Sequence, residues 1–595
     1  MSEPPPAESR TVADQILDYL VLEGATCIFG LPGAGIAHLL QRIRLRPEFT
    51  YVVCRQESGA AYMADGYYRA TGKPGVVLVT SGPGATNALT GTMNANFGGS
   101  ALLVLTGEVP QGFLGRGYLQ EGTDCGLNVR DIFAAGTRYS ADIVAAAGAP
   151  ILIEQALRDM LSVPRRAVRL GISDNVAAAP AEASKFSPRP PASPTAYRTL
   201  PATAPVDGVR RTLDLLSSAK RPLLMLGAGC REALRDKATA NALRCFVEWW
   251  KIPVMTTSDG KGVFPETHDM SLRAYGFAGC EWPQYWMVGK DGVAAHDALL
   301  VVGSSLGELA TYKWNPMLVP NGPFIQVDID QSMIGRGYPV TDGYVAEAGA
   351  FFRELWNQAP AWPRDETAVA ARAAEIAQIK TRFSAFAAPD AYNSETAPLQ
   401  PAALCRVLNS VLPDDALIFI DCGNCVGWGL HCLIVGGQQE THSALAMGPM
   451  GFAVCAVAGA RLGNPNRLAV ALVGDGAFLM QVGEVSTAAA QGVGAIWVVL
   501  VDDDLRMVSQ GMEVLFHQPG AYEDSYRLGK PDLAKVAEGL GAAVTVVDKP
   551  SDLTDAWPDV VKGANRGRPQ VILAIVDRTA APPYYSAPFW QGNID

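Results

Sequence analysis

Short apolar runs recur along the chain, and between them apolar positions return every three or four residues. The first pattern predicts strands buried on both faces, and the second predicts amphipathic helices. Residues 76–80 and 102–106 read as strands, residues 13–24 and 150–161 as helices. Pro150 suits the first position of its helix, where no backbone N–H is needed. Such alternation is the mark of an α/β fold on a parallel sheet. Strand-like runs resume at 222–229, 298–303 and 324–328, and again at 416–421, 468–473, 495–501 and 571–576. Residues 177–205, rich in Ala, Pro and Ser, predict a surface linker, and 359–397 a helix and connector. The chain thus divides into three doubly wound parallel-sheet domains, at 11–176, 206–358 and 399–577, with a tail at 578–595. The aromatic residues of that tail, Tyr584, Tyr585, Phe589 and Trp590, follow no period. Fraying is the expectation there, and folding over an active site the alternative.

Composition narrows the class. With 595 residues, 49% hydrophobic and 18% charged, the chain can bury several cores, which excludes disordered and disulfide-stapled proteins. A net charge of −11 argues against a nucleic-acid partner. Eleven cysteines, odd in number and irregularly spaced, suit a reducing cytoplasm. The polar first ten residues hold no apolar signal core, and no apolar run approaches the roughly 18 residues of a membrane span. Sixty glycines exceed average usage, which points to many tight turns around a ligand.

The richest segment in chemistry is Gly474-Asp475-Gly476 at the end of one apolar run, followed one helix later by Asp502, Asp503 and Asp504 at the end of another. Ligands of open α/β sheets sit at such carboxyl ends. Paired carboxylates there suit Mg²⁺ with phosphate oxygens, and a helix N-terminus favours the anion. Read from these residues alone, an ordinary strand-turn-helix with solvated aspartates stays open. The pattern resembles the cofactor motif of thiamine diphosphate enzymes, which usually closes on Asn-Asn or Asp-Asn. Leu505 and Met507 match a Leu-Gly-Met-Val stretch of acetolactate synthases, which puts Asp502 at the metal-binding asparagine. Asp504 then falls where a main-chain carbonyl completes the metal site beside Asp475, and Arg506 replaces a family glycine. The resemblance gives Gly474, Gly476 and Ala477 to the diphosphate.

A second block resembles the pyrimidine-binding domain of the same family over most of residues 11–140. It comprises the stretches 29–34, 55–67 and 72–87. By that resemblance Glu57 activates the cofactor through its aminopyrimidine N1′, a task suited to a buried carboxyl. Pro32, Gly33, Gly84 and Asn87 line the pocket, and Gln120 orients a substrate carboxylate or carbonyl. Residues 446–451 resemble the family's Gly-Leu-Gly-x-Met-Gly. Met450 would hold the cofactor bent, the Gly448 carbonyl would take its amino group, and Met447 lies beside them. Gly423, Asn424 and Cys425 fall where the family meets the diphosphate. Cys422 and Cys425 have Cys-x-x-Cys spacing, with no second pair to make a zinc site.

Two departures bear on activity. Leu119 replaces a pocket phenylalanine, and Gly511 stands for the tryptophan that packs the acceptor pocket. No histidine directly follows Gly33, and no His-His pair lies between Asn96 and Gln120, where pyruvate-type decarboxylases carry their proton donors. The resemblance therefore implies a carboligase that decarboxylates a 2-oxo acid and adds the enamine to an acceptor carbonyl, giving an acyloin. A plain decarboxylase or carbon–carbon lyase and a non-catalytic paralogue are the alternatives. Thiamine diphosphate and Mg²⁺ are the implied cofactors. FAD is less favoured, because the family's flavin-holding Arg and Asp groups are missing from 303–308. The family's architecture implies a homodimer or homotetramer with Glu57 of one subunit meeting Asp475 of another.

Overall fold

The apolar runs assemble into three six-stranded parallel sheets in a computed structural model that describes residues 10–124, 126–181, 191–198, 204–289 and 292–584. In the first sheet the strands are β1 (Cys27–Gly30), β2 (Thr50–Val53), β3 (Gly75–Val79), β4 (Leu102–Glu108), β5 (Tyr139–Ile143) and β6 (Ala167–Ser173). Their order is β2-β1-β3-β4-β6-β5. The second holds β7 (Pro222–Leu226), β8 (Val254–Thr257), β9 (Ser271–Tyr275), β10 (Ala298–Val302), β11 (Phe324–Asp328) and β12 (Asp342–Val345), ordered β9-β8-β7-β10-β11-β12. The third holds β13 (Leu417–Ile420), β14 (Glu440–Ser443), β15 (Ala469–Gly474), β16 (Ile496–Val501), β17 (Ala543–Val547) and β18 (Gln570–Ile575). Its order, β14-β13-β15-β16-β18-β17, repeats that of the first. The middle sheet has the 3-2-1-4-5-6 order of doubly wound nucleotide folds.

Two helices join the outer sheets. Glu57–Thr71 crosses Phe452–Gly463 with almost no side-chain layer between them. A Cβ on Gly66 would stand 2.2 Å from the Ala456 carbonyl oxygen, and one on Gly459 would stand 1.9 Å from that of Met63. Only glycine permits that approach. Glu484 fastens the same joint, its Oε1 accepting the N–H groups of Arg55 and Gln56 at 3.0 Å each. The helix that begins at Glu57 is thus oriented by a side chain of the third sheet's domain.

Local expectations are corrected in three places. The helix of Pro150 begins at Ala149, so the proline takes its second position, where the N–H is equally dispensable. Part of the supposed loose linker is docked: buried Tyr197 donates to Glu23 at 2.6 Å, and its carbonyl accepts from Arg158 at 2.6 Å. The first residues of the tail pack as well; Tyr584 stacks on Phe277 at 4.9 Å. Tyr585, Phe589 and Trp590 lie outside the described residues.

Candidate functional site

Strand β15 delivers Asp475 to its carboxyl end, where burial and three backbone donors fix the side chain. Its Oδ1 accepts from the Gly476 N–H at 2.8 Å; Oδ2 accepts from Asp502 at 3.1 Å and Asp503 at 2.7 Å. One carboxylate therefore ties the end of β15 to that of β16. Asp503 turns through positive φ, +58°, and the Asp502 carboxylate accepts the Asp504 N–H at 3.2 Å. Burial pushes the Asp475 carboxyl up to about 6. Burial, then the charge of Asp475, pushes Asp502 up to about 7. Among the described residues neither has an ion-pair partner within 4.0 Å. A buried and a half-buried carboxylate without an ion-pair partner form a site that a divalent cation would relieve.

The Asp504 side chain is used differently. Its Oδ2 accepts from Ser509 Oγ at 3.1 Å and faces Arg578 at 3.7 Å and Arg506 at 3.9 Å. Among the described residues no three His, Cys, Asp or Glu side chains gather as a metal cluster. The Asp504 carboxylate is thus drawn through Oδ2 toward Ser509 and the two arginines, while its Oδ1 is buried with no hydrogen-bond partner among the described residues.

Above these strand ends lies a cavity of about 210 Å³. Gly448, Met450, Gly474, Gly476, Ala477 and the 422–425 turn line it, together with Asp475, Asp502 and Asp504. A Cβ on Gly423 or Gly474 would meet nothing within 4 Å, so bare backbone faces open space there. Gly423, at φ +117°, precedes the Asn424–Cys432 helix and takes a conformation that side chains rarely adopt. Beneath this turn Asp421, fully buried, accepts from Cys422 and Gly451 through Oδ1 and from Ala453 through Oδ2. It joins the 422–425 turn to the Met450 turn. Burial pushes its carboxyl up to about 6. Asn424 accepts from Tyr584 Oη at 2.8 Å and donates to Gln510 at 2.9 Å, and Gln510 donates to the Ala580 carbonyl at 3.0 Å. Asp577 and Ala580 thus line one side of the cavity, and Tyr584 is tied to its 422–425 turn.

A second cluster stands at the carboxyl ends of the first sheet. Asn87 donates to Glu57 Oε2 at 3.0 Å, and Gly84 lies beside the other carboxylate oxygen, where a Cβ would be 3.7 Å from Oε1. Gly33 packs on Thr80, which also touches Gly84. Glu57 is half-buried in the single chain rather than enclosed. Gln120, at φ +62°, rests its backbone against Gly82, with a Cβ on that glycine 3.0 Å from its carbonyl oxygen. Buried Glu108 holds this loop by accepting the Gly122 N–H at 3.1 Å.

Several expected residues are not brought together. No residue of the first sheet's domain lines the 210 Å³ cavity. Leu119, 80% exposed, and Gly511 share no pocket wall, and Met447, 41% exposed, stands outside the cavity. Pro32 is exposed on its turn. The ten described cysteines are free thiols, with Cys422 and Cys425 among them. Asp421, Glu108 and Glu484 were given no role by the sequence. Each acts on backbone groups brought near only by folding, and a lone acidic residue after an apolar run gives no signal of that.

Models of thiamine pyrophosphate enzymes match three stretches: the N-terminal TPP binding domain at 10–127, the central domain at 209–355 and the C-terminal TPP binding domain at 421–573. A putative acetolactate synthase large subunit, IlvB2 of Mycobacterium tuberculosis, is 30% identical over 545 residues, covering 91% of this chain and 94% of the relative. A probable 2-ketoarginine decarboxylase, AruI of Pseudomonas aeruginosa, is 30% identical over 563 residues, covering 94% and 92%. A thiamine diphosphate-dependent 4-hydroxybenzoylformate decarboxylase of Rhodococcus jostii superposes with a TM-score of 0.77 at 22% identity, over 96% of this chain and 99% of that one. That last likeness speaks to the fold alone.

Proposed function

The chain belongs to the acetolactate synthase-like thiamine pyrophosphate enzymes, and from that premise we propose that it decarboxylates a 2-oxo acid and joins the remaining acyl unit to an acceptor carbonyl. The observation that carries this reading is the pair of clusters just described: Glu57 held by Asn87 on one sheet, and Asp475 with Asp502 beneath bare glycine backbone on another.

The third-domain cavity fits the diphosphate and a divalent cation. Asp475, Asp502 and the Asp504 carbonyl would hold Mg²⁺; Gly423, Asn424, Cys425, Gly474, Gly476 and Ala477 would meet the phosphates. Gly448 and Met450 would receive the rest of the cofactor. Thiamine diphosphate, when bound, supplies an electron sink for the carbanion left when a 2-oxo acid loses CO₂. Glu57 would share a proton with the cofactor's ring nitrogen, and the Asn87 amide fixes one carboxylate oxygen so that the other is free for that exchange. Gln120 orients the substrate's carboxylate or carbonyl without adding charge. Leu119 and Gly511 border the acceptor, where a missing indole leaves room for a group larger than pyruvate.

The six histidines of the chain support joining over release. None lines the cavity, and the one nearest the Gly33 turn, His38, is bound to Asp174 at 2.6 Å. No imidazole among the residues lining this cavity is then at hand to protonate the acyl unit early. Plain decarboxylation is the second reading, favoured by the likeness to AruI over 94% of the chain.

The two clusters meet, in this reading, across the interface of a homodimer. Apolar groups exposed near both, among them Leu119, Met447, Val514 and Phe516, are consistent with a partner subunit covering them. Domain limits at 11–176, 206–358 and 399–577 and a cytoplasmic location complete the reading; no helix among the described residues is long and apolar enough to cross a membrane. FAD stays the less favoured ligand of the middle sheet. The test is CO₂ release from a panel of 2-oxo acids. Release that needs thiamine diphosphate and Mg²⁺ supports the proposal; release without either, or none from any acid, opposes it.

A further inference from the structure

A cavity of about 700 Å³ opens between the Lys237–Trp250 helix, the turn at 262–268 and the loop at 437–440. It shares no lining residue with the cavity over Asp475. Its wall carries Arg231, Arg235, Lys237, Arg244 and Arg467 against a single carboxylate, Glu440. Arg235 and Arg467 both lean on Glu440, at 2.5 and 2.8 Å. Arg244 faces Glu248 at 3.3 Å, outside the wall. Among the described residues, Arg231 and Lys237 have no carboxylate within 4.0 Å.

Arg231 is nonetheless held still. Its Nη2 donates to the carbonyls of Asp259 at 2.9 Å and Lys261 at 3.2 Å, which orient the guanidinium and leave its charge uncancelled. Burial, partly offset by the nearby charges of Glu440 and Asp259, pulls the Arg231 guanidinium below its usual range. An arginine held partly out of water with no carboxylate in contact, beside the exposed Lys237 and Arg244, is an unfavourable arrangement that an anion would relieve. It stands out further in a chain whose net charge is −11. Leu234, Leu243, Val263 and Phe264 give the same cavity an apolar part. The volume lies within the range of small-molecule sites.

We propose that this cavity binds a phosphate-bearing small molecule, its phosphate drawn to Arg231, Lys237 and Arg244 and its organic body laid on Val263 and Phe264. A compact dianion answers two unpaired cations better than a single carboxylate does, and an arginine fork matches phosphate oxygens. Ala70 of the first sheet's domain and the 437–440 loop of the third's also line the space. A ligand there would brace all three domains.

The experiment is calorimetric titration of the full chain, loaded with thiamine diphosphate and Mg²⁺ so that the other phosphate-binding cavity is filled. Phenyl phosphate, inorganic phosphate and benzoate are the probes. Saturable binding of one phenyl phosphate per chain is expected, weakened about ten-fold or more by Lys237→Ala with Arg244→Ala. Both side chains are exposed, so that variant keeps its fold. Arg231→Gln should abolish binding. Equal affinity for inorganic phosphate would assign the cavity to the free anion and still support a phosphate site. No saturable binding, unchanged affinity in the double variant, or benzoate binding as tight as phenyl phosphate would overturn the proposal.

Discussion

Asp502 shows how one side chain reshapes a metal loop. With Asp475 it places two acids under one cavity, raised to about 7 and about 6 chiefly by burial. A raised folded pKa means that the folded chain keeps protons the unfolded chain has lost, so without metal these groups add stability as pH falls from 7 toward 4. A cation must displace those protons, so Mg²⁺ affinity should rise with pH up to about 7. Asp502→Asn leaves Asp475 as the controlling acid, and the midpoint of that rise should drop toward about 6. Trp428 on the cavity wall gives a fluorescence signal for the titration; an unmoved midpoint would rule the account out. Glu57→Gln should lower turnover by about 10²–10⁴-fold with cofactor affinity little changed, by rate and binding measurements on the same preparation. These residues were legible because motif and spacing mark them. Asp421 was not, since its task is to gather the N–H groups of Cys422, Gly451 and Ala453 from two turns apart in sequence.

The joint between the helices Glu57–Thr71 and Phe452–Gly463 sets the position of Glu57. Gly459→Ala puts a methyl 1.9 Å from the Met63 carbonyl oxygen, so the helices must part. A loss of about 1–3 kcal/mol is expected in denaturant unfolding, with a fall in activity as Glu57 shifts. Normal stability would mean that the crossing is looser than described. Strands such as β4, β7 and β16 were readable as continuous apolar runs, whereas the buried interior strands β1, β6 and β8, short or broken by polar residues such as Arg169 and Thr256, were not. Edge strands were not: β2, β5, β12 and β17 are only partly buried, and half-exposed strands mix polar residues into the pattern. Strand order was likewise beyond reach of the sequence pattern, because it is settled by which crossovers pack, not by any one run.

At the scale of the whole molecule, the proposed function has the two clusters meet across a dimer interface. Glu57→Gln and Asp475→Ala should each be inactive. Dissociated and reassociated together, they should regain about a quarter of wild-type activity, since half the dimers are mixed and each has one intact site. No recovery would place both clusters within one chain's site. The three-domain plan was legible from alternating runs, whereas the excess of arginine at the 700 Å³ cavity was not, since its wall draws on residues from 70 to 467. In the proposed reaction the acyl unit is joined to an acceptor rather than released. The most direct measurement is product analysis of the loaded enzyme fed a 2-oxo acid it decarboxylates, with and without an acceptor aldehyde or ketone. An acyloin that forms in proportion to acceptor is the predicted result; the simple aldehyde alone in both reactions would contradict it.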